Sequence, residues 1–194
     1  MHPTLPRSRS PLTGSQTSAA LVVLLGLCVT PAVGQERPTT GPLVPGFGPV
    51  FEIPGAEFPI DPDADYWAVF DVAQSSEDPA ERNRRLESAA RYLNMHARSG
   101  VDPDRMRVAL VVHGGAGKDL LDDDAYRERY GVGNPNTALL AALDRAGVEI
   151  YLCGQTAAAR GLPTDRLAEP VGVALSAMTA LVALQNEGYR LIAF

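Results

Sequence analysis

Residues 148–161 read VEIYLCGQTAAARG, and they decide the fold because an apolar strand runs into a helix with almost nothing between. Val148, Ile150, Tyr151 and Leu152 are the branched and aromatic residues that suit a pleated, buried strand. Thr156 to Arg160 then form a helix-forming run rich in alanine. Cys153 and Gly154 stand at the junction.

The same alternation extends outward in both directions. Tyr66–Val72 (YWAVFDV) and Met106–Val112 (MRVALVV) read as strands, residues 171–174 as a short fourth and residues 190–193 as a closing fifth. Between the first two, Asp78, Pro79 and Glu81 offer an N-cap, a proline at the first helical position and a capping-box acid, so a helix is expected to begin there. Leu86, Ala89, Ala90, Leu93 and Ala97 recur at helical spacing, and Gly100 is placed to end that helix. Asn134 and Pro135 repeat the device ahead of Leu139, Leu140 and Leu143, with Gly147 as the stop. Ser176 to Glu187 is a last helix ending at Gly188. The stretch LDDDAYRERYGVG before Asn134 reads as a charged loop.

Apolar strands separated by helices imply an α/β fold, a three-layer α/β/α sandwich with a mainly parallel sheet of about five strands. The last helix, SAMTALVALQNE, is apolar over more than one face, which places it in the core or against another subunit.

The N-terminal segment does not read as part of this fold. Arg7 and Arg9 precede an apolar stretch from Ala19 to Cys28, followed by Pro31, Ala32 and Gly34, the pattern of a secretory signal peptide over residues 1–34. Cleavage after Gly34 would leave 160 residues, enough for one domain. Leu27 before Cys28 argues against a lipid anchor, because lipoprotein processing favours a small residue there. Location in the periplasm or outside the cell is therefore expected, with no stable membrane span after processing, since the leader's apolar core is too short for one. Residues 35–63 are rich in Pro and Gly and read as an extended arm, with Val50, Phe51, Ile53 and Phe58 available to pack; the domain proper runs over residues 64–194.

Charge narrows the partners. The whole chain has 17 basic and 23 acidic residues, and two of the basic ones fall in the leader, leaving a net −8. That balance excludes a phosphate-backbone binding surface, and with it nucleic acid as a partner. The lone Lys118 among sixteen arginines reflects composition bias and carries no mechanism.

Cysteine arithmetic supplies the first chemical hint. Once Cys28 leaves with the leader, the exported chain holds Cys153 alone, so no internal disulfide can form. Such a thiol is buried and inert, paired between subunits, or reactive. In open parallel α/β sheets ligands bind beyond the carboxyl ends of the strands, where two capable residues fall: His113 after MRVALVV and Cys153 after VEIYLC. A nearby imidazolium and a helix N-terminus both favour thiolate over thiol. Gly154, Gln155 and the amides of the turn could hold an anion or a terminal sulfur. Asn134 is most simply a helix cap, and a second candidate for contacting a ligand. Strand-end cysteines are also often small hydrophobes, and a lone histidine is often a hydrogen-bonded structural one.

Other motifs dissolve on inspection. HGGAGKD lacks the glycine and the hydroxyl of a phosphate loop, since those positions hold Val112 and Asp119, so no nucleotide cofactor is implied. Asp122, Asp123 and Asp124 have no EF-hand spacing behind them and read as a solvated loop. Cys153 and His113 alone cannot complete a closed zinc site, which leaves no metal expected, although a thiol-dependent metal or redox-sensing site is a third, weaker reading.

The strings VVHGG, GVGNPNTALLAALDRAGVEIYLCGQTAAARG and VGVALSAMTALVALQNEGYRLIAF resemble the DsrE/DsrF-like family of sulfur-relay proteins, over about Tyr66 to Phe194. The most telling correspondence is Cys153 followed after six residues by Arg160 and Gly161; Gly188 and Tyr189 before the closing strand resemble an exported branch of the family. The resemblance implies a three-layer parallel α/β fold, assembly as trimers or hexamers, and a cysteine that takes sulfane sulfur as a persulfide. On that reading Cys153 is the nucleophile and His113 favours its thiolate or shuttles a proton, while Gln155, Gly154 and Asn134 shape the pocket. The protein would then be a periplasmic sulfur carrier or sulfurtransferase-like protein, whose sulfane donor and thiol acceptor are not named by the sequence. The alternative is a non-catalytic oligomeric binding or assembly module with a buried structural cysteine.

Overall fold

The computed structural model describes residues 37–194, so the leader expected over residues 1–34 lies outside the described residues. Five strands, β1 Tyr66–Val72, β2 Met106–Val112, β3 Glu149–Cys153, β4 Gly172–Ala174 and β5 Arg190–Ala193, form one sheet in the order β4-β3-β2-β1-β5. Every pairing is parallel. The helices are α1 Arg84–Arg98, α2 Asp123–Tyr130, α3 Thr137–Arg145, α4 Gly154–Arg160 and α5 Ala177–Asn186.

Strand order dictates which helices share a face. From β1 to β4 the chain steps across the sheet in one direction, so its crossovers fall on one side. That side is the larger core: Ala68, Phe70, Val72, Leu110, Val112 and Leu152 pack under buried residues of α1 to α4 such as Leu86, Leu93, Tyr126, Leu140 and Ala157. The step from β4 back past β1 to β5 reverses direction, and α5 crosses the other face. There Val69, Ala109, Val111 and Cys153 meet Ala177, Leu184 and Tyr189. The result is the expected α/β/α sandwich, with one layer built from a single helix.

Three local readings are corrected by the structure. Helix α1 starts at Arg84, capped by the buried Asn83 through a 2.9 Å bond to Arg85 N–H, whereas Asp78 closes only a turn through Ala80 and Glu81. The cap falls at Asn83 because its amide also binds Asp119 Oδ2 at 2.7 Å and its N–H binds Asn136 Oδ1 at 2.8 Å, contacts that Asp78 does not make. Likewise α3 starts at Thr137 behind Asn136, with no helix yet begun at Pro135. The charged loop is helix α2: Asp122 caps it through Ala125 N–H, Arg127 pairs with Asp123 and Asp124, and Gly131 ends it in the left-handed conformation.

The arm packs by Leu43, Val44, Phe47 and Val50. Val44 and Val50 are buried, while Phe51, Ile53 and Phe58 are exposed, so the aromatics expected to dock it do not. Asn94 of α1 also holds it, accepting the Val44 N–H at 2.8 Å.

Candidate functional site

Adjacent strands β3 and β4 send their outgoing helices to opposite faces of the sheet, α4 to one and α5 to the other. Such a switch opens a crevice at the strands' carboxyl ends. Cys153 stands at that switch point, buried and paired in register with Ala174 of β4. Its sulfur is the N-cap group of α4, accepting the Thr156 N–H at 3.4 Å.

The first turn of α4 thus bonds the thiol directly, and Ala177 at the start of α5 packs in the same buried cluster. Burial pushes the Cys153 pKa up, but the Thr156 hydroxyl and the backbone N–H groups of Thr156, Ala177 and Gln155 outweigh it and hold the thiol below its ordinary 9.0. Ala177 opens α5, whereas Gln155 and Thr156 belong to the first turn of α4. Hydrogen bonds to the charged form are the physical cause, the same one that depresses pKa in other reactive thiols. The thiol is nonetheless only 5% exposed.

The close approach behind this cradle depends on Gly154. A Cβ there would lie 2.8 Å from the Ala174 carbonyl oxygen and 3.3 Å from that of Leu175, so any side chain would force β4 and the start of α5 away from the sulfur.

His113 follows β2 directly, its N–H bonded to Val72 O at 2.9 Å. Val112 pairs with Leu152 at the end of the β2–β3 ladder, so His113 and Cys153 are the next residues beyond it, at the same edge of the sheet. Strand alternation puts Asp71 on the same face, one strand further on, and its Oδ1 meets His113 Nε2 at 2.7 Å. Gly114 then takes φ +55, where a Cβ would strike Ala73 O at 2.9 Å, and turns its N–H onto Thr156 Oγ1 at 3.1 Å. Asp71, His113 and Cys153 thus line one edge of three consecutive strands, and Thr156 ties the loop after His113 to the helix after Cys153.

The other sequence candidates fall differently. Gln155 contributes its backbone N–H and presents its side chain to solvent. Asn134 is buried and committed to its own loop: Nδ2 donates to the Asp119 and Leu121 carbonyls at 2.9 and 2.7 Å, and Oδ1 accepts from Asn136 N–H at 2.9 Å. Its amide has no capacity left for a ligand. Asp71 and Thr156 are the residues that sequence reading passed over. A carboxylate inside the otherwise apolar run YWAVFDV was the available signal for Asp71. Among the described residues, no group of three or more His, Cys, Asp or Glu could hold a metal ion, and no helix is long and apolar enough to cross a membrane.

A parallel three-layer α/β domain with a cysteine at its switch point is the class this geometry defines. The chain belongs to the DsrE/DsrF-like family, whose model matches residues 68–194. That family is associated with sulfur relay. No curated protein matches the sequence. Among solved structures, the chain is similar to MTH1491 from Methanobacterium thermoautotrophicum, a protein of unknown function, with 23% identity and a TM-score of 0.51 over 67% of this chain and all of that one. It is also similar to the ychN protein of E. coli, with 16% identity and a TM-score of 0.49 over 66% of this chain and 99% of that one. At these identities MTH1491 speaks to the fold alone.

Proposed function

We propose that the protein is a sulfur carrier or sulfurtransferase-like protein that holds sulfane sulfur as a persulfide on Cys153. The observation that carries this reading is the place of Cys153 Sγ as the N-cap group of α4, accepting the Thr156 N–H at 3.4 Å, which favours the anion that attack requires. Thiolate attack on the outer sulfur of a donor R–S–SH forms the Cys153 persulfide and expels R–S⁻; a second thiol later takes the sulfur by the same exchange. Membership of a sulfur-relay family supports it. Intact mass spectrometry after incubation with polysulfide tests it: the expected result is a reducible gain of sulfur, absent from Cys153→Ser, and equal gain by that variant sinks the assignment.

The 5% exposure of Cys153 favours a second reading, a buried structural thiol in a binding or assembly module. Iodoacetamide separates the two. A carrier is labelled in its native state, whereas a packing cysteine is labelled only after unfolding.

The site works in a homo-oligomer of three or six copies, exported to the periplasm. Support for assembly is the outer face of α5 with its neighbours, where Leu175, Met178 and Val182 are exposed at 72%, 76% and 59%. Light scattering on a Met178→Glu, Val182→Glu double variant checks it, with monomers expected. Support for export is the leader pattern of Arg7, Arg9 and Ala19 to Cys28; cell fractionation with N-terminal sequencing checks that.

A further inference from the structure

The thiol and the imidazole are built as separate devices. The hydrogen bond on Cys153 Sγ comes from the Thr156 N–H of α4, and none joins the His113 ring to Sγ among the described residues. The ring instead leans across to β1, where Asp71 occupies Nε2. With Asp71 ionised, Nε2 must carry the proton, so a neutral His113 keeps its lone pair on Nδ1. The His113 side chain is 31% exposed whereas Cys153 is buried, so the ring is the more accessible of the two groups to a second sulfur compound.

We propose that Asp71 is a positioning residue that fixes the tautomer of His113, and that His113 handles the proton of the second sulfur compound and is not the base of Cys153. This rests on the persulfide reading above. In the unloading step, Nδ1 takes the proton of an acceptor R–SH; the resulting R–S⁻ attacks the outer sulfur of Cys153–S–SH. The sulfur–sulfur bond at Cys153 breaks, R–S–SH leaves, and Cys153 departs as thiolate. Loading is the reverse: the protonated ring gives its proton to the R–S⁻ expelled by the donor. Each exchange conserves electrons, so no outside oxidant or reductant enters.

The test uses the mature protein loaded with polysulfide and freed of excess, with sulfur release followed by intact mass. One acceptor is an alkyl thiol, mostly protonated at neutral pH; the other is an aromatic thiol already ionised. For the alkyl thiol, His113→Gln should slow release by about 10²-fold, the ordinary worth of general base catalysis, and Asp71→Asn should slow it in the same direction, with Asp71→Glu restoring part of the rate. Neither His113→Gln nor Asp71→Asn should slow release to the ionised thiol, and the iodoacetamide rate of unloaded Cys153 should be unchanged. Both side chains are partly exposed, so neither substitution opens a core cavity, and thermal melting confirms the fold.

Equal losses with both acceptors would reduce the pair to a structural role and overturn the proposal. Slower iodoacetamide labelling in His113→Gln would overturn it differently, by making His113 the base of Cys153. A wild-type protein that takes up no sulfur would remove the carrier reading and this inference together. Loading and release that are the same in every variant would remove the inference alone.

Discussion

Thr156 touches Cys153 through its backbone and the loop after His113 through its side chain: its N–H donates to Sγ at 3.4 Å while Oγ1 accepts the Gly114 N–H at 3.1 Å. With that lone pair engaged by Gly114, the hydroxyl proton remains free to serve the sulfur. One residue thus couples the geometry of the His113 loop to the charge state of the thiol.

Thr156→Val removes the hydroxyl at nearly constant volume and leaves the helix cap in place. Burial already pushes the thiol upward, and the hydroxyl is one of the groups opposing it, so the Cys153 pKa should rise. A charge-assisted hydrogen bond is worth about 1.5–3 kcal/mol, so alkylation by iodoacetamide at neutral pH should fall at least tenfold. The pH midpoint of that reaction should move up with it. Thr156→Ser should keep both near wild type. An unmoved midpoint in the valine variant would assign the lowered pKa to the backbone amides alone.

The strands were legible because buried parallel strands read as largely apolar runs: β1 and β2 begin and end where YWAVFDV and MRVALVV do, and the exposed edge strand β5 also matches residues 190–193. Helix starts were not, because several residues can cap and tertiary contacts choose among them. Asp78 and Asn83 both qualify locally, and only Asn83 can also reach Asp119 and Asn136. Helix α2 hid for another reason, burying only Ala125 and Tyr126 and so leaving no apolar stripe. At the site, Cys153 and His113 were visible as strand-end residues. Asp71 was not, since its meeting with His113 depends on β1 lying beside β2 with a diagonal offset in register. The Ala177 N–H was invisible in the same way, because it reaches Cys153 only after α5 crosses to the far face.

The arm is expected to come loose in Asn94→Ala. Asn94 is fully buried, its Oδ1 accepting Val44 N–H at 2.8 Å and its Nδ2 shared among the Val44, Phe47 and Gly48 carbonyls at 3.2, 2.9 and 3.3 Å. Arg98 adds bonds to the Gly41 and Thr40 carbonyls at 2.8 and 2.9 Å. Alanine would leave an amide N–H and several carbonyls buried without partners, at about 1–3 kcal/mol for each group so stranded. Limited proteolysis should then cut within residues 39–50 well before the wild type is cut. An arm equally resistant in the variant would mean that its packing and the Arg98 bonds hold it without Asn94.

Asp119 makes stability depend on pH in the opposite sense to an ordinary paired carboxylate. Burial raises its pKa above 3.8, and the hydrogen bonds from Asn83 Nδ2 and Ser75 Oγ, at 2.7 and 2.8 Å, only partly oppose that, as does the charge of Lys118. The folded protein therefore holds this proton more tightly than the unfolded chain does. Between the ordinary value and the raised one, the folded state binds more protons, so the Asp119 contribution to stability is fully present below 3.8 and is lost as pH rises through the folded pKa. Asp119→Asn removes the titration and keeps the shape: Oδ1 can accept from Asn83 while Nδ2 donates to Ser75, whose hydroxyl can turn to accept. Urea unfolding of both proteins from pH 4 to pH 7 measures the difference. The stability of the wild type relative to Asp119→Asn should fall as pH rises across that range; a constant difference would show that Asp119 is ionised throughout and that Asn83 and Ser75 fully compensate its burial.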